Sequence, residues 1–300
     1  MVWRSVVINQ PARLRREHFS LVVEQAQAAR VPFEDIAVIV LNHPEITLTH
    51  PVLSACGEYG IGLYATGSNH QPNGIFLPFQ QHSRATRMLR LQLALDKPTG
   101  KRAWASMVQA KIRNQAACLR VFSPSDAERL ESLARRVRSG DADNLEGQAS
   151  AHYFPKLFGL GFYRSLNSWT NSALDYGYAV MRGACARALV AHGMLPTLGL
   201  FHSSEQNAFN LADDLIEPFR PVVDLHVATH RKADEEQDLS PADKASLVKL
   251  LHMDVTMPRG NMSVLAAVEQ AAESVARLYE EGTELELPTL TGLREHRFEM

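Results

Sequence analysis

Ser83-Arg-Ala-Thr-Arg-Met-Leu-Arg-Leu-Gln-Leu-Ala-Leu95-Asp-Lys-Pro-Thr-Gly-Lys-Arg-Ala-Trp-Ala-Ser-Met-Val-Gln-Ala-Lys-Ile-Arg-Asn-Gln-Ala-Ala-Cys-Leu119 is the stretch at which the character of the chain changes. Apolar residues recur there at spacings of three and four, the spacing of one helix face. The first helix is expected over 84–95 and should stop at Lys97-Pro98, because proline lacks the backbone donor and crowds the preceding turn. Thr99 is placed to cap a second helix over 101–119. Toward the C-terminus the same periodicity predicts helices from Ser123-Pro124 to Gly140, over 145–158 behind Asn144, over 169–192, 207–223 and 244–252, and over 263–281. Gly193 and Gly282 close two of them. The polar, charged segment from Thr283 is expected to be loosely ordered.

Toward the N-terminus the periodicity shortens. Residues 2–8, 19–24, 36–41 and 61–64 are short runs rich in Val and Ile, bounded by Pro, Asn or Gly, and read as strands. One helix fits over 51–59, closed by Gly60. Residues 67–73 are turn-rich and 75–79 could form a last strand. The fold class is therefore α+β: a small β-rich N-terminal domain (1–80), a linker near 78–83, a larger all-α domain (84–282) and a polar tail (283–300).

Composition narrows the class. The 300 residues are 45% hydrophobic and 21% charged, as in globular proteins in water. No apolar run approaches the ~18 residues of a membrane helix, and the first residues lack the apolar core of a signal peptide. Cys56, Cys118 and Cys185 are odd in number and widely spaced, so neither a disulfide framework nor a zinc knuckle is indicated. A cytoplasmic protein is expected. The net charge of −2 hides a strong polarity: residues 84–140 carry 13 basic and 4 acidic side chains, while 231–300 carry 8 and 14. A concentrated basic stripe is the footprint of a polyanion-binding surface. It is equally the pattern of a solvated helix face.

No phosphate loop, nucleophile elbow or dinucleotide fingerprint is present. What remains is a set of acids and histidines in unusual settings. Glu146 stands among the small residues Gly147, Ala149, Ser150 and Ala151, which would admit a ligand or another backbone. An exposed first-turn glutamate favoured by the helix dipole would look the same. His202 lies in a polar loop before a helix that carries Asp213, Asp214 and Glu217. Asp213 and Glu217 share a helix face, and no Lys or Arg stands between the three acids. Their repulsion must be offset, by water at a surface or by a divalent cation in a cleft. Carboxylates suit Mg²⁺ or Mn²⁺, and an imidazole ligand tilts the choice toward Mn²⁺. Pro218 should kink the helix at these acids.

Three segments together are not generic. They are Glu146-Gly-Gln-Ala-Ser-Ala-His-Tyr-Phe154, Asn171-Ser-Ala-Leu-Asp-Tyr-Gly-Tyr-Ala179 and Asn207-Ala-Phe-Asn-Leu-Ala-Asp-Asp-Leu-Ile-Glu-Pro-Phe-Arg-Pro221. With Ala37-Val-Ile-Val-Leu-Asn-His-Pro-Glu-Ile-Thr-Leu-Thr-His50 and Pro72-Asn-Gly74, they resemble, in order and over nearly the whole chain, the CRISPR-associated integrase–endonuclease family of spacer acquisition, closest to its type II branch. The resemblance implies an N-terminal β-domain that forms a homodimer and a helical catalytic domain. It implies a Mg²⁺ or Mn²⁺ site made by Glu146, His202 and Glu217, with Asp213 and Asp214 matching an acid pair beside it. Relatives often carry a second His and an Arg flanking the catalytic His, where this chain has Phe201 and Ser203.

The implied reaction is insertion of a short duplex DNA fragment into a repeat array. The fragment's 3′-hydroxyl attacks a phosphodiester, and water in its place gives nuclease activity. Implied partners are double-stranded DNA, a small second adaptation protein and the type II effector nuclease, with no membrane. A metal-dependent nuclease outside CRISPR and a non-enzymatic helical DNA-binding scaffold are the rival readings. Alanine at Glu146, His202 or Glu217 is expected to abolish joining and leave the fold intact. Arg84, Arg87, Lys111 and Arg113 are expected to contact phosphates, each lost contact flattening the salt dependence of binding by about 0.9.

Overall fold

The computed structural model describes residues 4–67, 71–79, 82–231 and 238–296. Val2 and Trp3 of the first expected strand, residues 68–70 of the expected turn, Gln80 and Gln81 of the linker, and the last four residues of the tail lie outside them.

The N-terminal region contains β1 (Arg4–Ile8), β2 (Ala12–Glu17), β3 (Ser20–Glu24), β4 (Ala29–Pro32), β5 (Ile36–Leu41), β6 (Ile46–Leu48), α1 (His50–Tyr59), β7 (Gly62–Thr66) and β8 (Pro72–Phe76). They form two four-stranded sheets, in the orders β1-β5-β7-β8 and β4-β3-β2-β6. β1, β5 and β7 run parallel, and β8 returns antiparallel to β7. The run Ile36-Ala-Val-Ile-Val-Leu41 is apolar throughout because both faces of β5 are covered, as parallel strands require. Ile39 joins Leu14, Leu21, Phe33 and Leu63 in the core of the N-terminal region. Val38, Val40 and Tyr64 belong instead to the large core built by the helices. β2, β4 and β6 escape the sequence reading: β2 reads Ala-Arg-Leu-Arg-Arg-Glu, and its arginines mask an alternation that buries only Ala12 and Leu14.

The rest of the chain contains α2 (Ala85–Ala94), α3 (Lys97–Phe122), α4 (Pro124–Arg136), α5 (Leu145–Phe158), α6 (Trp169–Ala191), α7 (Asn210–Ile216), α8 (Arg220–Thr229), α9 (Pro241–Lys249), β9 (Asp254–Met257), β10 (Gly260–Ser263) and α10 (Val264–Glu281). α3 begins four residues before its expected start. The Asp96 carboxylate caps it by accepting from Thr99 N at 2.9 Å, and Pro98 falls in the first turn, where its missing donor costs nothing. α6 is buried on nearly every side and runs through the helical core. The expected 207–223 helix is two helices, α7 and α8, joined by a 3₁₀ turn over Glu217–Phe219, as Pro218 led one to expect.

Two departures concern the C-terminal part. The antiparallel hairpin β9–β10 interrupts the region expected to be all helix. The tail is not loose through residue 296. Thr289 and Thr256 exchange two backbone hydrogen bonds, and Leu290 is buried. Leu285, Leu287 and Leu293 pack against the same core, an apolar series that the surrounding charge concealed. Among the described residues, no helix is long and apolar enough to cross a membrane.

Candidate active site

Glu146 sits in the first turn of α5, whose start is fixed by two side chains. Asp141 accepts from Leu145 N and Glu146 N at 2.9 and 3.0 Å, and Asn144 accepts from Gly147 N. A Cβ at Gly147 would lie 2.7 Å from both terminal atoms of Asn144, so the Glu-Gly pair is a capping device as well as a ligand motif. Gly147→Ala is expected to displace Asn144 and cost about 1 kcal/mol. Urea unfolding reads this directly, and an unchanged midpoint would show that the cap is dispensable.

Glu217 arrives from the break between α7 and α8. The break frees backbone carbonyls, and α3 satisfies one of them: Asn114 donates to Pro218 O at 2.8 Å. Asn114 also donates to Pro288 O and accepts from Leu290 N, tying the tail to the same point. Glu217 is 4% exposed and faces Arg220, whose Nε lies 2.8 Å from its Oε1.

The residue that joins Glu146 to Glu217 is Lys111. Expected among the phosphate-contacting cations, it is instead only 8% exposed, on the inward face of α3. Its Nζ is 2.5 Å from Glu146 Oε1 and 2.5 Å from Glu217 Oε2. Both are close ion pairs, and the one to Glu146 has full hydrogen-bonding geometry. Burial pushes the Glu217 carboxyl up, but Lys111 and Arg220 more than offset this and hold it below the usual glutamate range. Burial likewise lowers Lys111, and Glu217 and Glu146 bring it back above the ordinary lysine value. Arg84, Arg87 and Arg113 are exposed, as the phosphate-contact expectation requires, with Arg87 3.5 Å from Glu280.

His202 is held by Asp214, a fully buried carboxylate at the centre of the 199–202 loop. It accepts from the backbone of Leu200, Phe201 and His202 at 2.6, 3.1 and 3.1 Å, and lies 2.7 Å from His202 Nδ1. Beside an acceptor that already takes three backbone N–H groups, Nδ1 is the natural donor, which leaves Nε2 for a ligand or a proton. That hydrogen bond outweighs burial and raises the His202 pKa. A Cβ at Gly199 would lie 2.2 Å from His202 O, so only glycine lets the loop close this tightly. Phe201 stacks on Trp104 with ring centroids 4.2 Å apart, and both meet the His202 ring edge-on. The departure at residue 201 thus supplies an aromatic wall for the imidazole.

The repulsion expected among Asp213, Asp214 and Glu217 is offset by protein groups acid by acid. Asp213 pairs with Arg182 Nη2 at 2.7 Å and Asn207 Nδ2 at 2.6 Å. Asp214 is met by four donors, and Glu217 by Lys111 and Arg220. Beside them opens a cavity of about 380 Å³ whose walls include His202, Asp213, Arg164, Arg182, Arg220 and Tyr178. Arg220 and Arg164 lie 4.6 and 5.6 Å from the Tyr178 ring centre. The sequence reading missed these three arginines. Only Arg220 left a signal, standing one turn beyond Glu217. Two carboxylates and an imidazole suit a hard divalent ion, and Glu217 Oε2, met only by the Lys111 ammonium, is an acceptor such an ion could take over. Among the described residues no three such side chains converge as a ready cage, because Lys111 stands between the carboxylates and Asp214 engages His202.

The family profile described as "CRISPR associated protein Cas1" matches residues 5–249. The chain belongs to the Cas1 family. It is 40% identical over 304 aligned residues, all of both chains, to the CRISPR-associated endonuclease Cas1 of Neisseria meningitidis serogroup C (strain 8013). Two solved structures share the fold. One is a casposase bound to integration product (TM-score 0.77, 17% identity, covering 94% of this chain and 92% of that one). The other is a Cas6-RT-Cas1–Cas2 complex (TM-score 0.71, 16% identity, 94% and 35%). Family membership and the N-terminal sheets followed by a helical region bear out the resemblance and the fold class read from the sequence.

Proposed function

We propose that this Cas1-family chain is a divalent-metal-dependent DNA integrase with nuclease activity. It inserts short DNA fragments into a CRISPR repeat array by attack of a 3′-hydroxyl on a phosphodiester. The observation that carries the reading is the meeting of Glu146 and Glu217 at Lys111, next to Arg220, which with His202 lines the neighbouring cavity. Glu146, Glu217 and His202 would hold Mg²⁺ or Mn²⁺, which lowers the pKa of the attacking hydroxyl and offsets phosphate charge. The protein's own groups do the rest. Asp214 fixes the imidazole so that Nε2 faces the reaction. Arg164, Arg182 and Arg220, held in place by Asp175, Asp213 and Glu217, offer the cavity oriented N–H donors for phosphate oxygens. Exposed Arg84, Arg87 and Arg113 draw in the duplex.

Residues 84–282 form the catalytic, DNA-binding part in this reading, and residues 1–80 the dimerisation domain, whose edge strands β4 and β6 offer backbone for pairing. A small second adaptation protein fits the Cas1–Cas2 assembly of the structural relative. The type II effector nuclease is a further proposed partner, and the cytoplasm the compartment.

The test is gel-resolved strand transfer into supercoiled repeat DNA with the small partner present. Fragments ending in 3′-hydroxyl should be joined whether or not their 5′ ends carry phosphate, while 3′-dideoxy fragments should bind and not be joined. Equal product from dideoxy and hydroxyl ends would leave a nuclease and remove the integrase.

A further inference from the structure

Lys111 occupies the place between two carboxylates that the metal reading reserves for a divalent ion. Its surroundings explain how they tolerate one another without that ion. Glu146 and Glu217 each approach Nζ to 2.5 Å, and Glu217 and Lys111 are 4% and 8% exposed. Two carboxylates this close, Glu217 almost dry and Glu146 28% exposed at its side chain, would repel. Lys111 and Arg220 bring the set of four to neutrality. A divalent ion added to that neutral set would leave an excess of two positive charges around Glu217 and Lys111, which are almost out of water. Withdrawal of one cation halves that excess and clears the space between the carboxylates. Arg220 is bound to Glu217 Oε1 and packed over Tyr178. Lys111 is a compact ammonium on a flexible four-carbon stem, able to swing from one anionic partner to another.

We propose that Lys111 is the resident counter-ion of the site. Its ammonium holds Glu146 and Glu217 together when no divalent ion is bound, and gives up that place when one binds. The inference rests on the metal-binding reading above and adds a consequence for the reaction. With the carboxylates neutralised by the metal, Lys111 and Arg220 are left as two positive charges for a phosphodiester whose reaction spreads negative charge over its oxygens. Lys111 is in this sense a positioning residue that exchanges one anionic partner for another.

The experiment is Mn²⁺ titration of the full chain by isothermal calorimetry, with thermal melts in EDTA and in saturating Mn²⁺, for wild type, Lys111→Gln, Glu146→Gln and the double variant. Lys111→Gln removes the competing ammonium and should bind Mn²⁺ at least tenfold more tightly. Its melting point should fall below wild type in EDTA and regain most of the difference in Mn²⁺. Should it fail to fold in EDTA, Lys111→Gln/Glu146→Gln, which restores the charge balance, should fold there. Glu146→Gln alone should weaken Mn²⁺ binding. Unchanged or weaker binding by Lys111→Gln, with wild type binding normally, overturns the counter-ion role alone. So does a double variant as unfolded as the single one. No Mn²⁺ binding by wild type removes the metal reading itself and the inference with it.

Discussion

Glu217→Ala should abolish DNA joining and also destabilise the protein by about 1–3 kcal/mol, the usual cost of leaving buried donors with an acceptor too few. The sequence reading expected alanine at any of the three site residues to spare the fold, and the structure changes that for this one. Glu217 is almost fully buried and is the shared partner of Lys111 and Arg220, so its removal leaves Lys111 with Glu146 alone and Arg220, 27% exposed at its side chain, without this acceptor. Glu146 is the contrast. Its side chain keeps 28% of its exposure and its ion pair is with Lys111, which retains Glu217. Glu146→Ala should therefore lose joining to the same degree with a smaller loss of stability. Urea unfolding beside strand-transfer assays separates the two effects. If Glu217→Ala unfolded at the wild-type midpoint, the charge arrangement described for this site would be wrong.

The second large effect is expected at Asp214, one of the acid pair that the sequence places beside the site. Asp214→Ala removes the acceptor of three backbone amides and of the His202 ring together. Each buried donor left unmatched costs about 1–3 kcal/mol, so the 199–202 loop should open rather than keep its shape. His202 would then lose its orientation, and joining should fall by roughly 100-fold or more, as misplacement of a reacting group implies. Asp214→Asn keeps the shape and one acceptor, and should fall between wild type and alanine in both stability and rate. Rates measured at saturating DNA report the chemistry apart from binding. A rate within threefold of wild type for Asp214→Ala would show that His202 is positioned by other means, with the Trp104–Phe201 wall the remaining support.

What the sequence disclosed followed from how locally each feature is encoded. The break at Pro218 was legible because proline acts on its own turn. The start of α5 was legible because its cap lies one residue away. The N-terminal strands were legible where apolar residues run together, as in β5, and illegible in β2, where arginines occupy the exposed alternation. The candidate ligands were found through local motifs. The burial of Lys111 was not legible because charge counted along the chain cannot distinguish the buried face of α3 from the exposed face that bears Arg113. Arg164 and Arg182 were passed over for a related reason. Their neighbourhood around Tyr178 and Asp213 is assembled by α6 and α7, 31 residues apart in the case of the Arg182–Asp213 pair.

The side chain of Asn114 holds the carbonyl of Pro218 and the backbone on either side of Thr289 at one point. During synthesis the chain emerges N-terminus first, and the helices fold as they appear. Asn114 must wait for residues 288–290, some 170 positions later, before its bonds are complete. A nascent or C-terminally clipped chain can therefore hold most of its helices and both acids while the turn that aims Glu217 still lacks its last support. The tail works as a keystone, set after the arch is already standing.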